Sequence, residues 1–355
     1  MSSKSVIISG IQQIGIGVKD AEQAWAWYRK NFSMDIPVFK SADVADLMLP
    51  YTGGKPQERY AILALNIAGG GGFEIWQYTQ RNPVAPDFKI LLGDLGIFAA
   101  KIKCRNVPEM YAYAKENKLD IVTELANDPA GKPHFFLKDP YGNLFEIVHD
   151  EVWFKNRKEL TGGIAGCTIG VSDMKKSMEF YRDVLGYDVV VYDKTGNFSD
   201  YNGIDGGNDA FRRVLLKHSK ERVGGFSKLL GPSQIELLQV ENRTQHKIYD
   251  KRFWGDLGFI HLCFDINGMK NLEEKCAKLN YPFTVNSSQS FDMGEAAGHF
   301  AYIEDPDGSL IEFVETHRVP ILKKIGFYLD LRKRAPEKSL PNWMITALSL
   351  ARVKD

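Results

Sequence analysis

Two side chains near the C-terminal end of the chain occupy positions that packing alone does not explain. Apolar and polar residues alternate with a period of two over residues 259–266, which places His261 on the polar face of a predicted strand. Glu312 interrupts an otherwise apolar strand pattern at residues 310–314, where a buried carboxylate needs a cation or a hydrogen-bond partner. His261 is therefore a candidate metal ligand, with a hydrogen-bonded core histidine as the alternative, and Glu312 is a candidate ligand or general base.

The elements around these two residues form one small β-α-β unit. A helix is predicted over residues 269–280, and two strands at 300–303 and 310–314 flank a turn of sequence Asp-Pro-Asp-Gly. A four-residue turn would place Ala301 opposite Glu312. His299, two residues before Ala301, is then a candidate for lining the same site.

The same unit occurs four times. The tetrapeptide Gly-Asp-Leu-Gly is found at 93–96 and 255–258, and the hairpin sequences DPYGNLFEIV and DPDGSLIEFV match. Two further strand-helix segments, beginning at Ile11 and Ile164, resemble each other, and the halves repeat at a lag of roughly 160 residues. The predicted fold is α+β, with four βαβββ modules in two tandem halves at 7–150 and 163–316. A helical tail is predicted at 317–355, with helices at 321–332 and 343–351.

Composition and charge exclude several classes of function. The 355 residues have a formal net charge of zero, so a nucleic-acid or anionic-membrane partner is not expected. The sequence has neither a signal-peptide pattern nor a membrane-spanning run, and its four cysteines are scattered. We expect a cytoplasmic protein, a monomer or homodimer, that acts on a small molecule.

The repeated strand ends IGVKD and IGVSD and the two hairpins resemble the vicinal oxygen chelate superfamily. This superfamily includes glyoxalase I, methylmalonyl-CoA epimerase, extradiol dioxygenases and bleomycin-resistance proteins. The resemblance extends over residues 11–316 and implies that paired units form a cup around a metal ion. Each unit then offers one position in its first strand and one in its last. These positions are Gln13, Ala99, Gly166 and His261 in the first strands, and Glu74, Glu146, Glu236 and Glu312 in the last strands.

The pairing of the units decides which of these residues meet. If unit one pairs with unit four, one cup contains Gln13, Glu74, His261 and Glu312, the ligand set of zinc-type glyoxalase I proteins. The other cup then has no ligand atom at Ala99 or Gly166 and is predicted to be inactive. If neighbouring units pair instead, neither cup has more than three candidate ligands. Gln13 could also be a surface residue, and Glu74 could mark a strand end.

The resemblance implies a glyoxalase-like lyase or isomerase. A divalent ion (Zn, Ni, Co, Mn or Fe) would hold two adjacent oxygens of a small carbonyl substrate and stabilise an enediolate, with Glu312 as the base. The positions that bind glutathione in glyoxalase I proteins are Gly17, Tyr78, Leu257 and Gly298 here, and none of them carries a charge. We therefore predict an enzyme that does not use glutathione, with Tyr78 as a substrate-binding candidate.

Two other functions remain open at this point. An extradiol-type Fe(II) dioxygenase needs two histidines and a carboxylate from units three and four, and Gly166 stands at the first histidine position. A metal-free binding protein of the bleomycin-resistance type would use aromatic residues to line a groove. The candidate aromatic residues are Trp76, Tyr78, Phe253 and Trp254.

Overall fold

The computed structural model describes residues 6–287, 291–292, 297–322 and 327–353, and the elements follow the four predicted units. Unit one contains β1 (Ile7–Gly17), α1 (Ala21–Phe32), β2 (Ile36–Val44), β3 (Glu58–Leu65) and β4 (Gly72–Tyr78). Unit two contains β5 (Gly96–Cys104), α2 (Val107–Glu116), β6 (Asp120–Ile121), β7 (Ala126–Asn127), β8 (Pro133–Lys138) and β9 (Leu144–His149). Unit three contains β10 (Thr161–Gly170), α3 (Met174–Asp183), β11 (Val189–Gly196), β12 (Phe211–Lys217), α4 (Ser227–Leu230) and β13 (Gln234–Val240). Unit four contains β14 (Gly258–Asn267), α5 (Met269–Lys278), β15 (Val285–Asn286), β16 (Phe291–Asp292), β17 (Ala297–Glu304) and β18 (Leu310–Leu322). The tail adds β19 (Phe327–Asp330) and α6 (Asn342–Ala347), and short 3-10 turns lie at Leu49–Tyr51, Ser199–Tyr201, Leu331–Lys333 and Leu348–Ala351.

Capping residues explain where the first helix of each half begins. The Asp20 carboxylate accepts a hydrogen bond from the backbone N–H of Gln23 at 3.0 Å, and Asp173 accepts one from Lys176 at 3.1 Å. Each bond satisfies a backbone donor that the helix itself leaves free, which is typically worth about 1 kcal/mol. The equivalent caps at equivalent places confirm that units one and three are copies of one unit.

Two large sheets form the body of the protein, and each combines units from both halves. The ten-stranded sheet has the order β15-β17-β18-β14-β1-β4-β3-β2, with β16 also paired to β17 and β19 also paired to β18, so unit one pairs with unit four. The nine-stranded sheet has the order β11-β12-β13-β10-β5-β9-β8-β6, with β7 also paired to β8, so unit two pairs with unit three. The sequence predicts two domains, at 7–150 and 163–316. Each sheet takes strands from both of these segments, so this division into domains stays a prediction.

The two faces of the ten-stranded sheet have different roles. One face carries Ile14, Ile75, Leu262 and other apolar residues into the main core, which it shares with the helices and with the other sheet. The opposite face carries a separate aromatic cluster that includes Trp76, Trp254 and Tyr302. We call the space beside this second face the first cup.

The tail corrects one sequence-based expectation. The predicted helix at 321–332 is wrong: β18 continues to Leu322, β19 pairs with it, and a 3-10 turn follows at Leu331–Lys333, while residues 323–326 lie outside the described residues. The reason is that β18 extends past the end of its pairing with β17 and offers free backbone groups, which β19 satisfies as an antiparallel partner. The second tail helix is present as α6, and its residue Ile345 packs on the body beside Ile36.

Candidate metal centre

Four consecutive strands at the centre of the ten-stranded sheet carry the candidate ligands. The order β18-β14-β1-β4 places one candidate on each strand. Gly15 on β1 lies opposite His261 in the antiparallel pairing and beside Glu74 in the parallel pairing. Glu312 on β18 lies beside Cys263, two residues after His261. The strand registers therefore direct these side chains into the first cup.

The structure brings all four predicted ligands together. The Nε2 atom of His261 lies 3.0 Å from Oε2 of Glu312 and 3.3 Å from Oε2 of Glu74. The Nε2 atom of Gln13 donates a hydrogen bond to the same Glu74 oxygen at 3.3 Å. His261, Gln13 and Glu312 are buried, and Glu74 is half-buried. The pairing of unit one with unit four thus brings the four candidate ligands into one cluster.

The polar atoms of this cluster are not satisfied by one another. Oε1 of Gln13, Oε2 of Glu312 and both ring nitrogens of His261 are buried without an aligned hydrogen-bond partner among the described residues. Two ligand atoms that each lie about 2.1 Å from an ion are about 3 Å apart when the bond angle at the ion is near 90°. The distances of 3.0 and 3.3 Å from Nε2 of His261 to the two carboxylates agree with this spacing. The ligand atoms of Glu74, His261 and Glu312 all lie within 4.8 Å of one another. A divalent cation fits this donor set.

The charges of the cluster favour a cation in the same place. Burial opposes protonation of His261, but the Glu312 and Glu74 carboxylates outweigh it and raise the pKa of the imidazole to about 9. Without an ion, the proton on His261 therefore supplies a positive charge that offsets part of the charge of the two carboxylates. A metal ion would replace that proton, since imidazole binds metals in its neutral form.

Neighbouring residues hold the His261 ring in one orientation. A Cβ atom at Gly15 would lie 2.5 Å from Cε1 of His261, so only glycine leaves room for the ring. On other sides, the Trp254 ring lies parallel to the imidazole at a centroid distance of 6.3 Å, and the Tyr302 ring meets it edge-on at 5.6 Å. Sequence reasoning did not connect Gly15 or Tyr302 with the site, although the period-two pattern of β1 places Gly15 on the same face as Gln13.

The two predicted substrate-binding residues have different positions. Tyr78 belongs to the aromatic cluster of the first cup, where its hydroxyl donates a hydrogen bond to the backbone carbonyl of Trp254. His299 is not brought to the cluster: it pairs with Glu315, and its Nε2 atom contacts Oδ1 of Asn286 at 2.6 Å. The expected register is wrong, because Tyr302 and not Ala301 lies opposite Glu312. A shift of one residue turns a side chain to the other face of the sheet.

The second cup, between units two and three, contains a buried ion network instead of a metal cluster. The Nζ atom of Lys101 contacts Oε2 of Glu146 and lies 2.6 Å from Oε2 of Glu236. These two glutamates stand at the positions equivalent to Glu312 and Glu74. The lysine ammonium therefore supplies the positive charge between the two carboxylates. The second cup thus differs from the first in two ways: it lacks ligand atoms at Ala99 and Gly166, and it contains Lys101.

Further charged residues complete this network. Nδ1 of His134 lies 2.8 Å from Glu146 and its Nε2 lies 3.2 Å from Asp200, while Arg213 bonds to Asp200 at 2.5 Å and also to Glu236. Sequence reasoning missed these residues. Lys101 could have been found from the repeat alignment, because it occupies the position of Cys263 in unit four.

Comparison with known proteins agrees with this architecture. Residues 10–147 and 163–313 match the profile of the Glyoxalase/Bleomycin resistance protein/Dioxygenase superfamily. The chain belongs to this superfamily. A sequence comparison with curated proteins returns no significant match. The resemblance noted from the repeated strand ends and hairpins is thus confirmed.

Solved structures of the same superfamily share the fold at low sequence identity. Glyoxalase I from Zea mays is 14% identical with a TM-score of 0.56, and the match covers 88% of this chain and 92% of that one. A putative dioxygenase from Bacillus subtilis subsp. subtilis str. 168 is 12% identical with the same TM-score, over 87% and 86% of the two chains.

No helix in the described part of the chain is long and apolar enough to cross a membrane.

Proposed function

We propose that the protein is a divalent-metal enzyme of the glyoxalase type, a lyase or isomerase that acts on a small carbonyl compound without glutathione. The observation that supports this proposal is the cluster of Gln13, Glu74, His261 and Glu312, in which Oε1 of Gln13, Oε2 of Glu312 and both ring nitrogens of His261 are buried without aligned partners among the described residues. Burying such groups costs free energy unless a ligand satisfies them. A metal ion from the group Zn, Ni, Co, Mn and Fe suits this mixed nitrogen and oxygen donor set.

Each residue of the cluster has a defined task in this proposal. Gln13, Glu74 and His261 hold the ion, which when bound would polarise two adjacent oxygens of the substrate and stabilise the negative charge that develops on them. Glu312 takes a proton from the carbon beside the carbonyl group, and the proton returns to the neighbouring carbon in an isomerisation or to the same carbon in an epimerisation. Trp254 and Tyr302 exclude water around the imidazole, which strengthens these electrostatic interactions.

Glutathione is excluded from the proposal because none of the four positions that would bind its carboxylates carries a charged residue. Gly17 and Tyr78 stand at two of the relevant positions and carry no charge. The nearby guanidinium of Arg81 stacks on the Tyr78 ring at 4.3 Å and is 2.9 Å from the carboxylate of Asp256, which neutralises it. We expect no turnover of the glutathione hemithioacetal.

The metal content of the purified protein tests the proposal. We expect about one divalent ion per chain, and we expect His261→Ala to lose it. His299→Gln is the matched control, because His299 is the histidine on the opposite face of the same sheet and should not affect the ion. An unchanged metal content in His261→Ala, or no ion after reconstitution, would contradict the proposed centre.

Activity is tested separately on the metal-loaded protein. Small 2-oxoaldehydes and acyl-CoA epimers are supplied with and without glutathione, and the product is followed by NMR in deuterated water. Glu312→Gln should remove exchange of the proton beside the carbonyl. Turnover that requires glutathione would overturn the thiol-independent assignment.

The aromatic face of the first cup favours a second candidate, a small-molecule-binding protein without chemistry. Trp76 and Trp254 meet edge-on at 4.7 Å, beside Tyr78 and the candidate ligands. Ligand binding that persists after chelation would support this candidate. The dioxygenase alternative lacks a comparable observation, because units three and four contribute to different cups.

A further inference from the structure

A cavity lies between the far end of strand β14 and the C-terminal tail. Asp265 on β14, Ser9 on β1 and Thr316 on β18 line it from the sheet, and Arg334 and Lys338 line it from the tail. Asp265 follows His261 by four residues along the same polar face, roughly 13 Å away at the rise of a β-strand. The cavity is therefore separate from the candidate metal centre.

The tail is fixed in place as part of this cavity. The backbone N–H of Leu340 donates to the carbonyl of Gly225 at 2.9 Å, and the N–H of Gly224 donates to the carbonyl of Glu337 at 3.2 Å. The hydroxyls of Ser227 and Ser339 are 2.7 Å apart. These bonds hold residues 334–338 over the end of the sheet, so the cationic side of the cavity is built by the fold.

Asp265 has an unusual environment for a carboxylate. Its side chain is buried, and the neighbours close enough to hydrogen-bond to it, Ser9 and Gln12, are neutral. Among the described residues no cation pairs with it. Burial and the charge of Glu315 raise the pKa of Asp265 to about 7, although Ser9 and Gln12 lower it. A buried carboxylate without a cationic partner is costly, and a positively charged ligand would remove that cost.

The cavity thus has one side that suits a cation and another that suits an anion. We propose that it binds a small zwitterion with an ammonium and a carboxylate group, of which a free α-amino acid is the simplest example. The ammonium group donates to Asp265 and to the hydroxyl oxygens of Ser9 and Thr316. The carboxylate is held by Arg334 and Lys338, where charge-assisted hydrogen bonds are the strong kind. This site goes beyond the proposed function, because none of its residues belongs to the metal cluster.

Isothermal titration calorimetry with the standard free amino acids tests this inference. We expect at least one of them to bind at one site per chain. For the tightest one, the analogues that lack either the ammonium or the carboxylate group should bind at least about tenfold more weakly, since a hydrogen bond to a charged group contributes about that factor. Asp265→Asn and the double variant Arg334→Ala/Lys338→Ala should weaken binding by a similar factor.

Two controls separate this site from other effects. Arg332→Ala removes a neighbouring tail cation that is exposed and paired with Asp330 at 2.9 Å, so binding should be unchanged. His261→Ala should lose the metal ion but keep the amino acid, which distinguishes failure of this inference from failure of the proposed function. The inference is overturned if no amino acid binds the wild-type protein at millimolar concentration, if binding survives in both cavity variants, or if either analogue binds as tightly as the amino acid.

Discussion

At the scale of single residues, the candidate metal centre depends on the absence of a side chain. Gly15 lies directly opposite His261, and a Cβ atom there would come within 2.9 Å of three atoms of the imidazole ring. Contacts this short require the ring or the strand to move. The position of the histidine is therefore determined as much by its neighbour as by its own rotamer.

We predict that Gly15→Ala displaces the ring and lowers metal affinity at least about tenfold, with a loss of about 1–3 kcal/mol in the free energy of unfolding, typical of an overpacked core. Competition with a chelator and urea denaturation measure the two effects. Gly225→Ala is the control, because the nearest atom of the described residues to a Cβ there belongs to Leu331, at an ordinary contact distance of 3.9 Å. Full metal affinity in Gly15→Ala would contradict the prediction, because it would show that the His261 ring can move away from the added methyl group and still bind the ion.

A second residue-scale prediction concerns His134 in the second cup. Burial opposes its protonation, but Asp200 and Glu146 outweigh burial and raise the pKa of the imidazole to about 9. Because the pKa of His134 is higher in the folded state than in the unfolded state, protonation of His134 stabilises the fold. This stabilisation is complete below the unfolded-state pKa of about 6.5 and is lost as the pH rises through 9. We expect the free energy of unfolding to fall by up to about 3 kcal/mol across this interval. His134→Gln should flatten the profile, measured by denaturation of metal-saturated protein; an equally steep profile would contradict the assignment.

At the scale of secondary-structure elements, equivalent strands of the two cups carry different residues beside their glutamates. Strand β14 carries Cys263 where the equivalent strand β5 carries Lys101, and both positions face a pair of glutamates. In the second cup the lysine ammonium lies between those glutamates, with both carboxylates buried. A covalently attached charge thus occupies the space between the two carboxylates of this cup.

We predict that Lys101→Met lowers the free energy of unfolding by about 3–5 kcal/mol, because it leaves two buried carboxylates without their common partner. Urea denaturation measures the change. Lys115→Met is the control, since this lysine is largely exposed and such substitutions usually change stability by less than about 0.5 kcal/mol. A loss as small as that of the control would mean that His134 and Arg213 alone neutralise the network.

The periodicity of the sequence and its internal repeat predict most of these strands and helices. The length of one turn is not predicted correctly, and it determines which side chains face the metal centre. The period-two patterns predict that His261 and Glu312 lie on the polar face of their sheet, and the repeat predicts four units. The sequence predicts a four-residue turn before β18, but Glu304 pairs with Leu310, so five residues connect the strands. That difference of one residue moved His299 to the opposite face. The helical pattern of residues 327–330 is misleading, because the sequence does not show that β18 extends far enough to offer them a strand partner.

At the scale of the whole molecule, the candidate metal centre unites the two ends of the repeat array. Strand β1 pairs with β14 and strand β10 pairs with β5, so the central pairing of each sheet joins the first half of the chain to the second. Gln13 and Glu74 come from the first half, and His261 and Glu312 from the second. No half contains a complete ligand set, and this was not apparent from local sequence patterns because they do not specify which units pair.

We therefore predict that fragments 1–157 and 158–355 depend on each other for metal binding. Alone, each fragment exposes the pairing edges of two central strands together with the apolar residues between them, which favours aggregation. When the fragments are co-expressed, these edges can pair and all four ligands meet. Metal content after size-exclusion chromatography should be about one ion per heterodimer and none in either fragment alone. Full-length protein cleaved at an engineered protease site after Arg157 is the control for the chain break itself, and it should keep its ion. A monomeric single fragment with full metal affinity would contradict the shared site, because half of the proposed ligands would then be dispensable.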